Sequence, residues 1–307
     1  MARRKKGDRV HGWVILDKRL TMTSTQAVGA VRRLFNAQKA GHGGTLDPLA
    51  TGLLPIALGE ATKTVPFIMD STKTYRFTVH WGAETTTDDA EGEITQTSDQ
   101  RPDEAAVRAV LPEFTGLVSQ VPPQFSALKV DGARAYDLAR GGEEVELAAR
   151  EILIDSFELV ARPDDDHAVL EAICSKGTYV RALARDMGRE LGCFGHVSEL
   201  RRTQVGPFNE DNMILLDQLD DLRHKGAGQE AMYEYLLPLE TALDDIPALA
   251  VSAEDAARLR NGQAVIVRGR DAPILQGTIL VEHRGDPVAL AEMEHGAVHP
   301  KRVFNLT

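Results

Sequence analysis

Ala40-Gly41-His42-Gly43-Gly44-Thr45-Leu46-Asp47-Pro48-Leu49-Ala50-Thr51-Gly52 is the most unusual stretch of the chain. Its glycines let backbone come close to a ligand. Pro48 pushes Asp47 out of the helical region, so the carboxylate sits on a constrained turn. A carboxylate held this way can act as a nucleophile or a general base. Read alone, Asp before Pro is more simply a turn residue or a helix cap. A phosphate loop is the weakest reading, because no Gly-Lys-Ser/Thr follows the glycines.

The flanks of this loop alternate between helix and strand patterns. Residues 12–17 form a short apolar run that predicts a strand. Residues 23–35 predict a helix, capped by Ser24 or Thr25 and ended by Asn36. Tyr75, Phe77, Val79 and Trp81 alternate with Arg76, Thr78 and His80, the pattern of a half-buried strand. Residues 82–101 read as polar loop, and Pro102 stands where a helix could begin. Residues 119–150 are broken by Pro122-Pro123, Asp131-Gly132 and Gly141-Gly142. Strands are expected over 152–160 and 168–174. A helix from Thr178 to about Leu191 would turn Val180, Leu183, Ala184, Met187 and Leu191 inward. From about residue 248 the pattern changes. Ser252 and Asp255 have capping-box spacing, Gly262 suits the helix end, and four short strand-like runs follow, as in a small β-barrel.

Composition narrows the class. The chain has 307 residues, 43% hydrophobic and 26% charged, which excludes a mainly disordered chain, a collagen or a coiled coil. Two cysteines, Cys174 and Cys193, exclude a disulfide framework and fit a reduced, cytoplasmic protein. His295 and His299 are spaced like metal ligands but lack an apparent third, so no metal site is expected. The net charge of -11 argues against a polyanionic partner, yet its distribution does not. The first 42 residues hold ten Lys/Arg and two Asp/Glu, and the other 265 hold 25 and 44. One face suited to a polyanion is the expectation, against the blander reading of a loose basic arm. No apolar run is long enough for a membrane span.

Seven separated blocks, in order, carry a resemblance. They are Gly12–Lys18, Gly41–Lys63, Lys73–Phe77, Thr85–Gly92, Pro122–Arg140, Cys174–Gly188 and Leu200–Phe208. Together they resemble the TruB-type family of tRNA pseudouridine-55 synthases over about residues 9–245, and the tail resembles a small PUA-type RNA-binding domain. The resemblance implies an α+β fold: a large mixed, mostly antiparallel sheet with flanking helices, plus a PUA-like β-barrel. It divides the chain into a catalytic domain over 1–247, with a mobile RNA-binding insertion at 119–150, and an RNA-binding domain over 248–307.

The same resemblance implies roles, residue by residue. Asp47 matches the essential aspartate, and no cofactor is needed. Arg181 matches the arginine beside it. Tyr75 matches a tyrosine that stacks on the target uracil, although its strand pattern alone makes it a core residue. Tyr179 and Leu200 match the uracil pocket, Asp89 a carboxylate near the flipped base, and His42 a histidine that fills the vacated stack. Lys18 is expected at the substrate as well. Phosphate contacts are expected from Arg32, Arg33, Lys39, Arg201 and Arg202, from Lys129, Arg134 and Arg140 of the insertion, and from Arg185 and Arg189. With Arg181, the last two form an i, i+4, i+8 stripe, which read alone is a solvated helix face.

The implied reaction converts uridine 55 in the T loop of tRNA to pseudouridine. Its C1′ and C5 are hidden in a stacked base, so the nucleotide must flip out. Base addition at C6, attack on the sugar and deprotonation at C2′ are all coherent uses of Asp47. A non-catalytic RNA-binding protein and a ribonucleoside hydrolase remain the competing classes. The expected partner is the tRNA T stem-loop, with no membrane and no oligomer.

Overall fold

The computed structural model describes residues 7–126, 129–130, 133–134, 147–224, 228–267 and 275–306. The chain opens with β1 (Gly12–Lys18), the helix Ser24–Leu34, β2 (Ala40–His42) and β3 (Ala50–Leu58). β4 (Lys73–Trp81) follows a short helix, Val65–Asp70. Then come a hairpin of β5 (Ala83–Thr85) and β6 (Ile94–Thr97), the helix Glu104–Val110, and β7 (Gly116–Gln120). β8 (Lys129–Val130) and β9 (Ala133–Arg134) pair as a ribbon, and β10 (Arg150–Ala161) and β11 (His167–Cys174) return to the sheet. The helix Val180–Glu190, β12 (Gly195–Val205) and β13 (Met213–Leu215) complete it.

The main sheet runs β13-β1-β3-β12-β4-β11-β10-β7, with β2 beside β3. β1–β13 and β3–β12 are parallel and the other neighbours antiparallel, the mixed, mostly antiparallel sheet expected. The unbroken apolar runs of β1 and β3 have a cause: both their faces are covered. Val14, Leu16, Leu54 and Ile56 pack with Ala27, Val31 and Phe35. Trp13, Ile15, Leu53 and Ala57 face the other way, against Leu239, Leu243, Leu280, Leu290 and Phe304. β4 has one covered face, so it alternates: Phe77, Val79 and Trp81 are buried and Arg76 is exposed. Full burial of each such side chain is worth about 1.5–3 kcal/mol.

β3 has two successive neighbours on the edge away from β1. Its second half pairs with β2, Ala40 opposite Leu58 and His42 opposite Ile56. Its first half pairs with β12, from Ala50 opposite Leu200 to Gly52 opposite Arg202. The sheet forks where β2 gives way to β12, and the loop carrying Asp47 begins at that fork.

The C-terminal sheet is built from β14 (Ala248–Ala250), β15 (Val265–Ile266), β16 (Gly277–His283), β17 (Asp286–Glu294) and β18 (Ala297–Val303), in the order β14-β16-β17-β18-β15. Its edge strands β14 and β15 are not paired with each other among the described residues, so the expected barrel is a half-barrel. Its helix, Ala253–Arg260, is capped by Ser252 as its sequence predicts. Among the described residues, no helix is long and apolar enough to cross a membrane.

Three local expectations are corrected. The first helix is capped by Thr23 in a capping box with Gln26, because the Ser24 hydroxyl is engaged elsewhere. Residues 82–101 contain the β5–β6 hairpin, whose polar strand β6 is fully exposed and carries no alternation. The helix expected from Thr178 has Tyr179 as its N-cap and begins at Val180, since the Thr178 hydroxyl donates to the Ser175 carbonyl.

Candidate active site

The Asp47 loop is pinned from beneath. Leu46 is buried, and its N–H and carbonyl both bond the Ser24 hydroxyl at 2.9 Å. Lys18 is wholly buried at the end of β1, and its ammonium donates to the carbonyls of Met22 (2.7 Å), Arg19 (3.1 Å) and Pro48 (3.4 Å). Burial lowers its pKa to about 8, and the negative charge of Asp47 opposes that shift. Arg202, buried on β12, donates to the carbonyls of Leu53 (2.8 Å), Gly44 (3.1 Å) and Thr45 (3.4 Å). Gly52 has φ +93°, and a Cβ there would lie 2.3 Å from the Arg202 carbonyl oxygen. Only glycine lets β3 and β12 approach this closely at the fork.

Above the loop, Arg181 Nη2 lies 2.9 Å from Asp47 Oδ2. The two side chains are unequally exposed, 7% for Arg181 and 43% for Asp47. Arg181 also donates to the carbonyls of Thr87 and Phe125, both at 2.9 Å, and faces Asp89 at 3.3 Å. Asp89 is itself buried and accepts from the Thr87 hydroxyl and the Glu91 N–H. The carboxylate at position 47 is therefore oriented by a charge-assisted bond yet open to the cleft.

That cleft, about 580 Å³, is lined by Asp47, Tyr75, Tyr179, Arg181, Leu200 and Arg202, together with Thr45, Met69, Asp70, Lys73, Arg150 and Lys176. Tyr75 lies opposite Arg202 across β4 and β12. Burial raises its pKa, and the Arg202 guanidinium opposes this. Burial likewise raises Tyr179, with the Ser126 hydroxyl opposing. Tyr75, Tyr179 and Leu200 thus share the cleft with the half-exposed carboxylate of Asp47. Aromatic stacking of a base is worth about 1–3 kcal/mol.

Among the expected site residues, Asp47, Tyr75, Arg181, Tyr179 and Leu200 are brought together. Asp89 stands behind Arg181 and Lys18 beneath the loop, so neither lines the cleft. His42 is on β2, outside the lining, with its Nδ1 buried and unpartnered and its pKa lowered by burial and by Arg202.

The arginine stripe is corrected. It is not a uniformly solvated face, because an acidic segment packs on it: Arg181 and Arg185 are buried, while the Arg189 side chain stays 53% exposed. Arg185 is buried on Asp88 at 2.9 Å, and Arg189 binds both oxygens of Glu84. Arg201 is taken by Asp17 and Glu210, and Arg202 is interior. Arg32, Arg33 and Lys39 are exposed. Lys129 and Arg134 fall in β8 and β9, and Arg140 lies outside the described residues.

Sequence reasoning missed three supports. Gln120 is a buried polar residue outside every motif block, and Lys73 opens the Lys73–Phe77 block with no role implied for it. Ser24 had a signal only as a cap. Among the described residues, no group of three or more His, Cys, Asp or Glu is placed to hold a metal.

Comparison with known proteins agrees along the whole chain. Residues 32–180 match the N-terminal domain model of the TruB family of pseudouridylate synthases. Residues 181–244 match the tRNA pseudouridylate synthase B C-terminal domain, and 247–304 the C-terminal domain of pseudouridine synthase II TruB. The tRNA pseudouridine synthase B of Bradyrhizobium diazoefficiens is 62% identical over 99% of this chain and 88% of its own. That of Caulobacter vibrioides is 57% identical over the full length of both. Among solved structures, a Cbf5-Nop10-Gar1 complex superposes with a TM-score of 0.74 and 26% identity, over 96% of this chain and 85% of that one. An H/ACA RNP bound to a substrate RNA containing 2′-deoxyuridine shares the fold, with a TM-score of 0.75 and 24% identity over 99% and 92% of the two chains.

Proposed function

The chain belongs to the TruB family of pseudouridine synthases, which makes it an isomerase, and we propose that its cleft converts uridine 55 in the T loop of tRNA to pseudouridine. The observation that carries this reading is the Asp47–Arg181 pair: a fixed arginine holding a half-exposed carboxylate against a slot walled by Tyr75, Tyr179 and Leu200.

The chemistry sets the demands. The C1′–N1 bond breaks, the uracil turns, and C1′ bonds to C5. The C5 proton leaves and N1 gains one, so mass is conserved. The nucleotide must leave its stack, at a cost of a few kcal/mol, and a loop whose bases are already splayed lowers that cost. Tyr75 and Tyr179 give the everted base a surface to stack on. Asp47 then meets the ribose side, where a carboxylate attacks C1′, takes the C2′ proton or adds to the base at C6. All three routes use the same oriented oxygen. Arg181 keeps it aimed throughout, and a preorganised charge costs no reorganisation during the reaction.

The exposed Arg32, Arg33 and Lys39 are proposed phosphate contacts, joined by the basic residues of the 119–150 insertion. Residues 248–307 are proposed to add RNA-binding surface, and the protein to work in the cytoplasm.

The test uses an unmodified T stem-loop RNA with tritium at uracil C5. Release of tritium without free uracil supports the isomerase. Free uracil identifies a hydrolase, and binding without either product identifies a non-catalytic RNA-binding protein.

A further inference from the structure

We infer that Gln120 is a positioning residue for this isomerisation, its carboxamide setting the backbone of Tyr179 and so the aim of Tyr179 and Arg181. Gln120 is 2% exposed and does not line the cleft. Its Oε1 accepts from the Tyr179 N–H at 2.9 Å, and its Nε2 donates to the Tyr179 carbonyl at 3.1 Å. One orientation of the amide satisfies both, so the side chain reads the peptide of Tyr179 as a strand partner would.

The location gives this contact leverage. Tyr179 is the N-cap of the helix Val180–Glu190 and has no side-chain cap of its own. Its carbonyl also accepts the first helical bond, from Leu183. The direction in which the helix starts therefore depends on how the Tyr179 peptide is held. Arg181 is two residues further on. A clamp on the Tyr179 peptide thus fixes both a ring facing the base and the guanidinium facing Asp47.

Gln120 is also the last residue of β7, paired with Arg150 of β10, so the insertion leaves the sheet at Gln120 and returns at Arg150. The backbone just beyond it is tied to the same helix. The Val121 carbonyl accepts from Arg185 and the Phe125 carbonyl from Arg181. The stem of the insertion and the arginine beside the essential carboxylate are one hydrogen-bonded unit, with Gln120 at its root.

This inference rests on the isomerase reading above, and the experiment separates the two. Gln120→Leu removes both bonds at similar volume. Gln120→Glu keeps the acceptor for the Tyr179 N–H and sets a carboxylate against the Tyr179 carbonyl. Single-turnover tritium release from the T stem-loop RNA is measured at saturating protein, with RNA affinity and the thermal midpoint measured in parallel. Both variants should lose about 10- to 100-fold in the saturating rate, the scale of a small misplacement of reacting groups. Affinity should stay within about threefold, and the midpoint should stay above the assay temperature. A saturating rate within about twofold of wild type overturns the inference, as does a loss confined to affinity. Failure of both variants to fold overturns it as well, since a positioning role requires a folded, slow enzyme. A wild-type protein that releases no tritium sinks the isomerase reading itself and this inference with it. Normal wild-type turnover beside unimpaired variants sinks the Gln120 inference alone.

Discussion

Arg181→Met should cost far more stability than Asp47→Asn, although the two residues form one ion pair. Arg181 is 7% exposed and faces a second carboxylate, Asp89, that is 5% exposed. Removing the guanidinium strands the Asp89 charge and takes a donor from the carbonyls of Thr87 and Phe125. Breaking a buried pair from one side costs about 3–5 kcal/mol. Asp89 keeps the Thr87 hydroxyl and the Glu91 N–H, which puts the expected loss near the low end, about 3 kcal/mol. Asp47 is the opposite case. Its side chain is 43% exposed, so solvent screens it, and Arg181 retains Asp89 when it goes. Asp47→Asn should cost less than about 1 kcal/mol. In activity the order reverses: Asp47→Asn should abolish tritium release while the RNA still binds. Urea unfolding of both variants checks the first part. A double variant, Arg181→Met with Asp89→Asn, should regain about 1 kcal/mol or more over Arg181→Met, because the stranded charge is gone. Equal losses for the two single variants, or no recovery in the double, would refute the reasoning.

Three further outcomes are expected. Burial raises Asp88 from 3.8 to about 6, so between those values the folded chain keeps a proton that the unfolded chain has lost. Its stabilising contribution is complete below about pH 4 and is lost as pH rises through 6, a change of ~3 kcal/mol, and Asp88→Asn should flatten that part of the urea stability–pH curve. Lys18→Met should lower stability by about 2–3 kcal/mol and slow turnover, since the Met22 and Arg19 carbonyls lose their donor and the Pro48 carbonyl is left with the Thr21 N–H alone; wild-type turnover in a folded variant would show that the loop holds without it. Gly52→Ala should force β12 away from β3, lowering the thermal midpoint and the saturating rate together, and an unchanged midpoint would contradict the 2.3 Å approach.

The strands that could be read from the sequence are those whose environment is uniform along their length. β4 alternates because one face is covered, and β1 and β3 are apolar throughout because both are. The β5–β6 hairpin was hidden because an exposed two-stranded ribbon imposes no pattern on Ile94–Thr97. At the site, Asp47, Tyr75, Arg181, Tyr179 and Leu200 could be named because motif blocks carry them. What they rest on could not. Helical spacing correctly put Arg181, Arg185 and Arg189 on one face. Spacing says nothing of what packs on that face, and here it is Asp89, Asp88 and Glu84, from a segment about 100 residues earlier. Gln120 meets Tyr179 across 59 residues, a distance at which a lone glutamine carries no signal.

Backbone accounting explains why two cations lie buried under the loop. A chain turning sharply at a sheet fork has lost one strand neighbour before gaining the next, so its inward carbonyls have no ladder to join. Those of Gly44, Thr45 and Leu53 are in this position, that of Pro48 has the Thr21 N–H at 2.9 Å, and an unpaired buried carbonyl is costly. Water at the fork would meet the need but would leave the loop free to shift. Lys18 and Arg202 reach in from β1 and β12, on either side of β3, and supply the donors instead. Their own desolvation is offset by those carbonyls and, for Lys18, by the nearby charge of Asp47. An apolar side chain at either position would pack as well and satisfy nothing. The two charges are therefore what permits a loop with a half-exposed carboxylate at its tip to be rigid at its base.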